Sequence, residues 1–199
     1  NRMKTIVDGQ IIKKYQVPLD MVNELNQEYD KNKKNLYSNS EHLAGRINTE
    51  LSILDFLPNL KIFKKINFFI QDYMMTLNNF GIIEKPQIRT HIQSCWVNDM
   101  KESEYNPVHV HNGPSNNGWS CVLFLKVPEF VNDVKHKHKF HDGQLCFLGF
   151  DRKLFWCDPQ VGDFYLFQAN QPHTVYPFKT KIKGKVRRSM SFNLIEKIN

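Results

Sequence analysis

The sequence predicts a mainly β fold with helices at its N-terminal end, the strands arranged as a sandwich or jelly roll. Three observations carry this. After Pro86, short runs rich in Val, Ile, Phe and Tyr recur to the end of the chain, separated by Gly, Pro, Asn or Asp, the texture of consecutive short strands. Before Pro86 the apolar residues recur every three or four positions, which is the helical period. No internal repeat and no linker interrupts the 199 residues, a length that suits one domain with a sizeable core. The expected organisation is a single domain over 1–199, with a helical support region over 1–85 and a β core over 86–199.

The elements follow in order. An extended start spans Thr5 to Gln16. A helix over Pro18 to Tyr29 has a proline where the missing N–H costs nothing, and apolar residues at helical spacing. It dissolves into the polar 31–40 stretch, read as a loop. From Asn59 to Leu77 the residues Leu60, Phe63, Ile66, Ile70, Tyr73, Met74 and Leu77 form an apolar stripe that predicts a helix covering a sheet. Met74 and Met75 belong to that packing rather than to a cofactor box. Strands are expected at Gln87–Val97, Val108–His111, Ser120–Val127, Gln144–Phe150, Lys153–Trp156, Asp163–Gln168, His173–Pro177 and Arg187–Leu194.

Composition excludes several classes. Hydrophobic residues at 41% and aromatics at 13% exceed what a disordered chain carries, and the negative mean hydropathy argues against membrane burial. Charged or amide residues interrupt every apolar stretch before the roughly eighteen residues of a spanning helix, and no charged start leads into an apolar targeting segment. The expectation is a cytoplasmic protein. Cys95, Cys121, Cys146 and Cys157 form no Cys-x-x-Cys pair and read as reduced core thiols. The net charge of +7 leaves nucleic acid or an acidic peptide open as a partner, although such clusters also form ordinary solvated faces.

One motif stands out. In Asn106-Pro-Val-His-Val-His-Asn-Gly113 two histidines are one residue apart, and on an extended chain alternate side chains share a face, so His109 and His111 can aim at one point. Two imidazoles meeting at a point suggest a metal. A third partner, His173, closes the segment Gly162-Asp-Phe-Tyr-Leu-Phe-Gln-Ala-Asn-Gln-Pro-His173. Beyond it runs an arginine strand, Arg187-Arg-Ser-Met-Ser-Phe-Asn193, in which alternation puts Arg187 and Ser189 on one face and Arg188, Met190 and Phe192 on the other.

Trp96-Val-Asn98, His109-Val-His111, Ser120-Cys-Val-Leu-Phe-Leu125, Gly162 to Phe167, Pro172-His-Thr-Val-Tyr-Pro177 and Arg187 to Asn193 stand in the order and spacing of a known pattern. Over about Cys95 to Asn193 the chain resembles the iron(II)- and 2-oxoglutarate-dependent oxygenases, most closely a group common in phages and bacteria and related to prolyl hydroxylases. The resemblance implies a double-stranded β-helix, a cupin-like jelly roll, and a dioxygenase that hydroxylates a C–H bond with Fe(II), 2-oxoglutarate and O₂. It implies His109, His111 and His173 as metal ligands. It also implies Arg187, Ser189 and Asn98 as cosubstrate-binding residues, with Asn98 equally open to a role in satisfying backbone, and the substrate it suggests is a prolyl-type side chain of a protein or peptide, with free amino acids and nucleobases also open.

Two departures from the family pattern matter. His111 stands where most relatives have a carboxylate, so the metal's double charge stays uncompensated until the dianionic cosubstrate arrives. Phe124 stands where many have a tyrosine that bonds the cosubstrate. A guanidinium grips a carboxylate bidentately, as lysine cannot; a register slip of one residue would put Arg188 in that role. Asp163 and Asp142 are the alternatives to His111 as a ligand, though each also reads as a turn residue. The second cluster, Lys135-His-Lys-His-Lys-Phe-His141, interleaves its rings with lysines that repel a cation and reads as a loop over the site, a candidate for contact with acidic substrates. His42 and His91 have no companions. Two rivals remain: a three-histidine cupin dioxygenase without a cosubstrate, and a non-enzymatic basic binding module on the same fold.

Overall fold

A computed structural model describes residues 3–7, 10–38, 47–54, 61–84, 89–111, 118–131, 141–149 and 153–197. Its larger sheet has seven antiparallel strands. Their order across the sheet is β1 (Met3–Val7), β2 (Gln10–Gln16), β9 (Asp163–Gln168), β6 (Trp119–Lys126), β11 (Arg187–Glu196), β4 (Thr90–Met100) and β3 (Glu50–Ser52). A smaller antiparallel sheet runs β5 (Asn106–His109), β10 (His173–Val175), β7 (Leu145–Leu148) and β8 (Leu154–Cys157). Two sheets joined this way by strands that cross between them form the expected jelly roll.

The helices are α1 (Leu19–Asn32) and α2 (Lys61–Asn79). The predicted stripe is the buried face of α2: Ile66, Ile70, Tyr73, Met74 and Leu77 are fully buried, whereas Met75 is exposed. Leu60 lies outside the described residues. The stripe joins one core with Met21, Val22, Leu25 and Tyr29 of α1 and with Cys121, Leu123, Met190 and Phe192 of the large sheet. Both helices therefore cover a single face of that sheet. The opposite face builds a second core, in which Phe124, Tyr165 and Phe167 meet Leu145 and Phe147 of the small sheet. Burying each such side chain contributes about 1.5–3 kcal/mol.

Polar ties fix the helices in place. Lys13 on β2 reaches Asp72 and Thr76 of α2 at 2.6 Å each, and Tyr15 donates to the same Asp72 at 2.8 Å. Arg188 on β11 donates to both oxygens of Asp99 on β4 at 2.6 and 2.8 Å and reaches Asn26 and Asp30 of α1, its guanidinium over the Tyr29 ring. At Gly162 the backbone adopts φ +90°, and a side chain there would come within 2.7 Å of the Val17 carbonyl. That turn sets β9 in register beside β2 and β6.

Differences from the expected elements are local. The extended start is two paired strands, β1 and β2, and α1 runs on to Asn32 before a short 3₁₀ turn at Lys33–Asn35. The short strand β3 was not anticipated. β5 ends at His109 rather than His111, because past His109 the chain leaves β10 and the His111 N–H bonds the Ala169 carbonyl. The expected strand start at Gln87 and the segment around Phe150 lie outside the described residues. All four cysteines are free thiols, three of them buried. Among the described residues, no helix is long and apolar enough to cross a membrane.

Candidate metal centre and anion pocket

His109 and His173 are opposed across the β5–β10 ladder. His111 follows just past the end of β5. Each can present one ring nitrogen such that the three nitrogens lie within 4.8 Å of one another. The ring centroids are 4.2–5.1 Å apart. Backbone carbonyls orient two of the rings: Nδ1 of His109 donates to the Pro107 carbonyl at 2.8 Å and Nδ1 of His173 to that of Gln171 at 3.0 Å. A carbonyl can only accept, so Nδ1 carries the proton and Nε2 keeps its lone pair. Nε2 of His111 lies 3.2 Å from Nε2 of His173, and the ring tilts against Trp96 with 5.7 Å between centroids.

Electrostatics favours the neutral rings that metal ligation needs. Burial pushes His111 down to about 3, with help from the nearby His109, and holds His173 well below the usual histidine range; His109 is lowered as well, again by burial. The donor set, three neutral imidazoles with no charge of their own, fits a first-row divalent ion. Among the described residues no carboxylate joins the group. Asp163 is buried at the start of β9 and salt-bridged to Lys14 at 2.8 Å, and Asp142 lies outside the cluster. Of the lysine-rich segment, residues 135–140 lie outside the described residues. His141 stacks on Trp156 at 3.7 Å and bonds Gln144, apart from the three histidines. His42 is outside the described residues, and His91 is exposed on β4.

The histidines open into a pocket whose floor is the large sheet, where Trp96, Asn98, Arg187, Ser189 and Ser191 line it. Arg187 is the largest fully buried side chain among the described residues, 1% exposed. Its Nε and Nη2 have no hydrogen-bond partner among the described residues, and its guanidinium lies over the Phe124 ring at 4.6 Å. Burial without an anionic partner lowers it to about 9. A buried cation with free donors costs stability unless an anion meets it, so the geometry is that of an anion receptor. Arg188 is excluded from this role, since Asp99 and Asp30 already occupy it on the opposite face. Strand alternation thus separates a pocket-facing arginine from one tied into the opposite face of the sheet.

Asn98 lines the pocket as well, with an unpartnered Oδ1. Phe124, lacking the tyrosine hydroxyl, instead offers its ring face to Arg187. Sequence reasoning missed Ser191, which the same alternation as Arg187 and Ser189 would have found, and Glu50, which carries no local signal.

Comparisons agree with this geometry. The family described as "Putative 2OG-Fe(II) oxygenase" matches residues 94–193, half of the chain and the stretch that carries all three histidines and Arg187. No curated protein matches the chain in sequence. Solved structures with a similar fold include a prolyl-4-hydroxylase from Pseudomonas putida, with TM-score 0.62 and 16% identity over 96% of this chain and 94% of that one. A prolyl hydroxylase from Trichoplax adhaerens, in complex with a hypoxia inducible factor peptide fragment, aligns at TM-score 0.64 and 18% identity over 95% and 84%. The viral collagen prolyl hydroxylase of Paramecium Bursaria Chlorella virus-1, a 2OG complex, aligns at 0.60 and 13% over 96% and 99%. The chain belongs to the 2OG-Fe(II) oxygenase family and has the double-stranded β-helix of that class. It is an oxidoreductase whose cofactors are Fe(II) and 2-oxoglutarate.

Proposed function

We propose that His109, His111 and His173 hold the iron, that Arg187 with Ser189 and Asn98 holds 2-oxoglutarate, and that the substrate is a peptidyl side chain of prolyl type. When bound, iron with 2-oxoglutarate and O₂ supplies the oxidising power to hydroxylate a C–H bond, the cosubstrate leaving as succinate and CO₂. The chain's own residues bind and orient. The Pro107 and Gln171 carbonyls keep the Nε2 lone pairs of His109 and His173 turned inward. Arg187 supplies a fork of donors for the distal carboxylate, and Ser189, on the same face of β11, adds a hydroxyl. The apolar cluster between the two sheets, to which Phe124 and Phe167 belong, excludes water from that end of the pocket.

The observation that carries the reading is Arg187: buried, charged, with free donors, in the same pocket as three neutral histidines. It also favours a diacid cosubstrate over the cosubstrate-free cupin alternative, which has no use for a buried cation there. The peptide substrate draws support from the Trichoplax adhaerens structure, whose ligand is a peptide. The test is turnover of 2-oxoglutarate to succinate under air with Fe(II), assayed with proline-containing peptides. Succinate formation lost in His173→Ala supports the reading. Iron-loaded protein that forms no succinate with or without peptide contradicts it, and steep salt-dependent nucleic-acid binding in its place would favour a binding module.

A further inference from the structure

The charges of the pocket are one-sided. His109, His111, His173 and Arg187 line a single cavity. An imidazole that ligates through its lone pair adds no charge, and among the described residues no carboxylate joins the three rings. Arg187 is fully buried there, with Nε and Nη2 unpartnered among the described residues, and burial is the one influence acting on its pKa. No acid stands close enough to hold its charge.

The acids of the surrounding strands are engaged elsewhere. Asp99, beside Asn98 on β4, points to the opposite face and holds Arg188. Asp163 on β9 pairs with Lys14, and Glu104 takes the N–H groups of Asn48 and Lys101. Glu50 lies on β3, two strands from Arg187 across the sheet, and its carboxyl meets the Asn98 amide rather than the guanidinium.

Like charges brought together in a buried pocket repel far more strongly than they do in water. A divalent cation arriving first would add its two charges to that of Arg187. A dicarboxylate arriving first meets an unpaired guanidinium at one end and uncharged rings at the other. We propose that the pocket takes its anion before its metal: 2-oxoglutarate binds the metal-free protein through Arg187, and the bound anion then draws the divalent ion to His109, His111 and His173. His111 sets this order, because a carboxylate in its place would attract the ion and repel the diacid. The two ligands strengthen one another by a common factor, so the metal is retained only while the diacid is present. The inference rests on the proposed seats of iron and 2-oxoglutarate.

The experiment is calorimetric titration of the metal-free full chain at fixed ionic strength, with 2-oxoglutarate alone, with Mn(II) alone, and with each in the presence of saturating amounts of the other. The wild type should bind 2-oxoglutarate saturably without metal, and Mn(II) alone roughly tenfold or more weakly than with 2-oxoglutarate present. His111→Asp should invert the order: one added negative charge should raise the metal-free Kd for 2-oxoglutarate roughly tenfold and lower that for Mn(II) alone by a similar factor. Arg187→Met, which supplies a second readout should His111→Asp fail to fold, should lose metal-free 2-oxoglutarate binding and hold Mn(II) alone severalfold more tightly than the wild type. A wild type that binds 2-oxoglutarate only after Mn(II), or an Arg187→Met protein with no gain in Mn(II) affinity, overturns the order of loading and leaves the two seats in place. A wild type that shows no saturable 2-oxoglutarate binding even with Mn(II) overturns the seat at Arg187 and this inference with it.

Discussion

Replacing Arg187 with Met should make the ligand-free protein more stable and the cosubstrate-bound one much harder to form. The pKa of Arg187 is lowered from 12.5 to about 9, and at about 1.36 kcal/mol per unit this is a penalty on the order of 4–5 kcal/mol against the charged form. The sign follows from linkage. Because the folded value lies below the unfolded one, stability rises with pH only between about 9 and 12.5, and at pH 7 the whole penalty is in place. Methionine removes the charge and keeps much of the packing, but gives up the contact with the Phe124 ring, worth about 1–2 kcal/mol. The net expectation is a gain of about 2–4 kcal/mol in the ligand-free protein, or several degrees in Tm for a chain of this size. For the cosubstrate the effect reverses. A carboxylate deprived of its buried partner loses about 3–5 kcal/mol, so Kd for 2-oxoglutarate should rise by roughly 10²–10⁴. Thermal melts and calorimetry with 2-oxoglutarate near 100 times the wild-type Kd read both effects. The wild type should gain about 2.7 kcal/mol from the ligand and the variant essentially nothing. A variant that melts lower than the wild type and still binds 2-oxoglutarate normally would show Arg187 to be structural and refute the argument.

Three further outcomes follow from the same geometry. Asp99→Ala takes from the buried Arg188 its bidentate partner but leaves it Asp30 and Asn26, and should cost about 1.5–3 kcal/mol in a urea melt while leaving the 2-oxoglutarate Kd within about twofold. Ser189→Ala should raise the KM for 2-oxoglutarate roughly tenfold, since it removes one hydrogen bond to a charged ligand. Acidifying the metal-free protein should destabilise it: His111 has a folded value of about 3 against 6.5 unfolded, so its contribution is present above pH 6.5 and fades as pH falls toward 3. Between pH 7 and 5 that amounts to about 2 kcal/mol, and denaturation of His111→Ala across that range should show a correspondingly flatter acid limb.

Most of the site was legible because strand alternation is a hard constraint. Counting by twos along 187–191 separated Arg187 and Ser189 from Arg188, and the structure seats the first pair in the pocket and the other arginine on Asp99. The stripe on α2 was readable for the same reason, its period being set by helical geometry. What escaped depended on partners far away in sequence. β3 is three residues, Glu-Leu-Ser, without a hydrophobic run, and becomes a strand only because β4 offers it an edge. Glu50 consequently looked like any surface acid. The β1–β2 pairing was hidden inside one apparent extended run, although Asp8-Gly9 is a recognised hairpin signal. His111 reaches the other two histidines from beyond the end of β5, through a backbone that departs from the strand alternation expected at 108–111.

The most direct measurement is an anaerobic titration of the protein with Fe(II) and 2-oxoglutarate, followed by visible absorption. The three-histidine account predicts a charge-transfer band that saturates with iron and disappears in His109→Ala, His111→Ala and His173→Ala alike. A band that survives intact in His111→Ala, or a parent protein that never develops one, would contradict it.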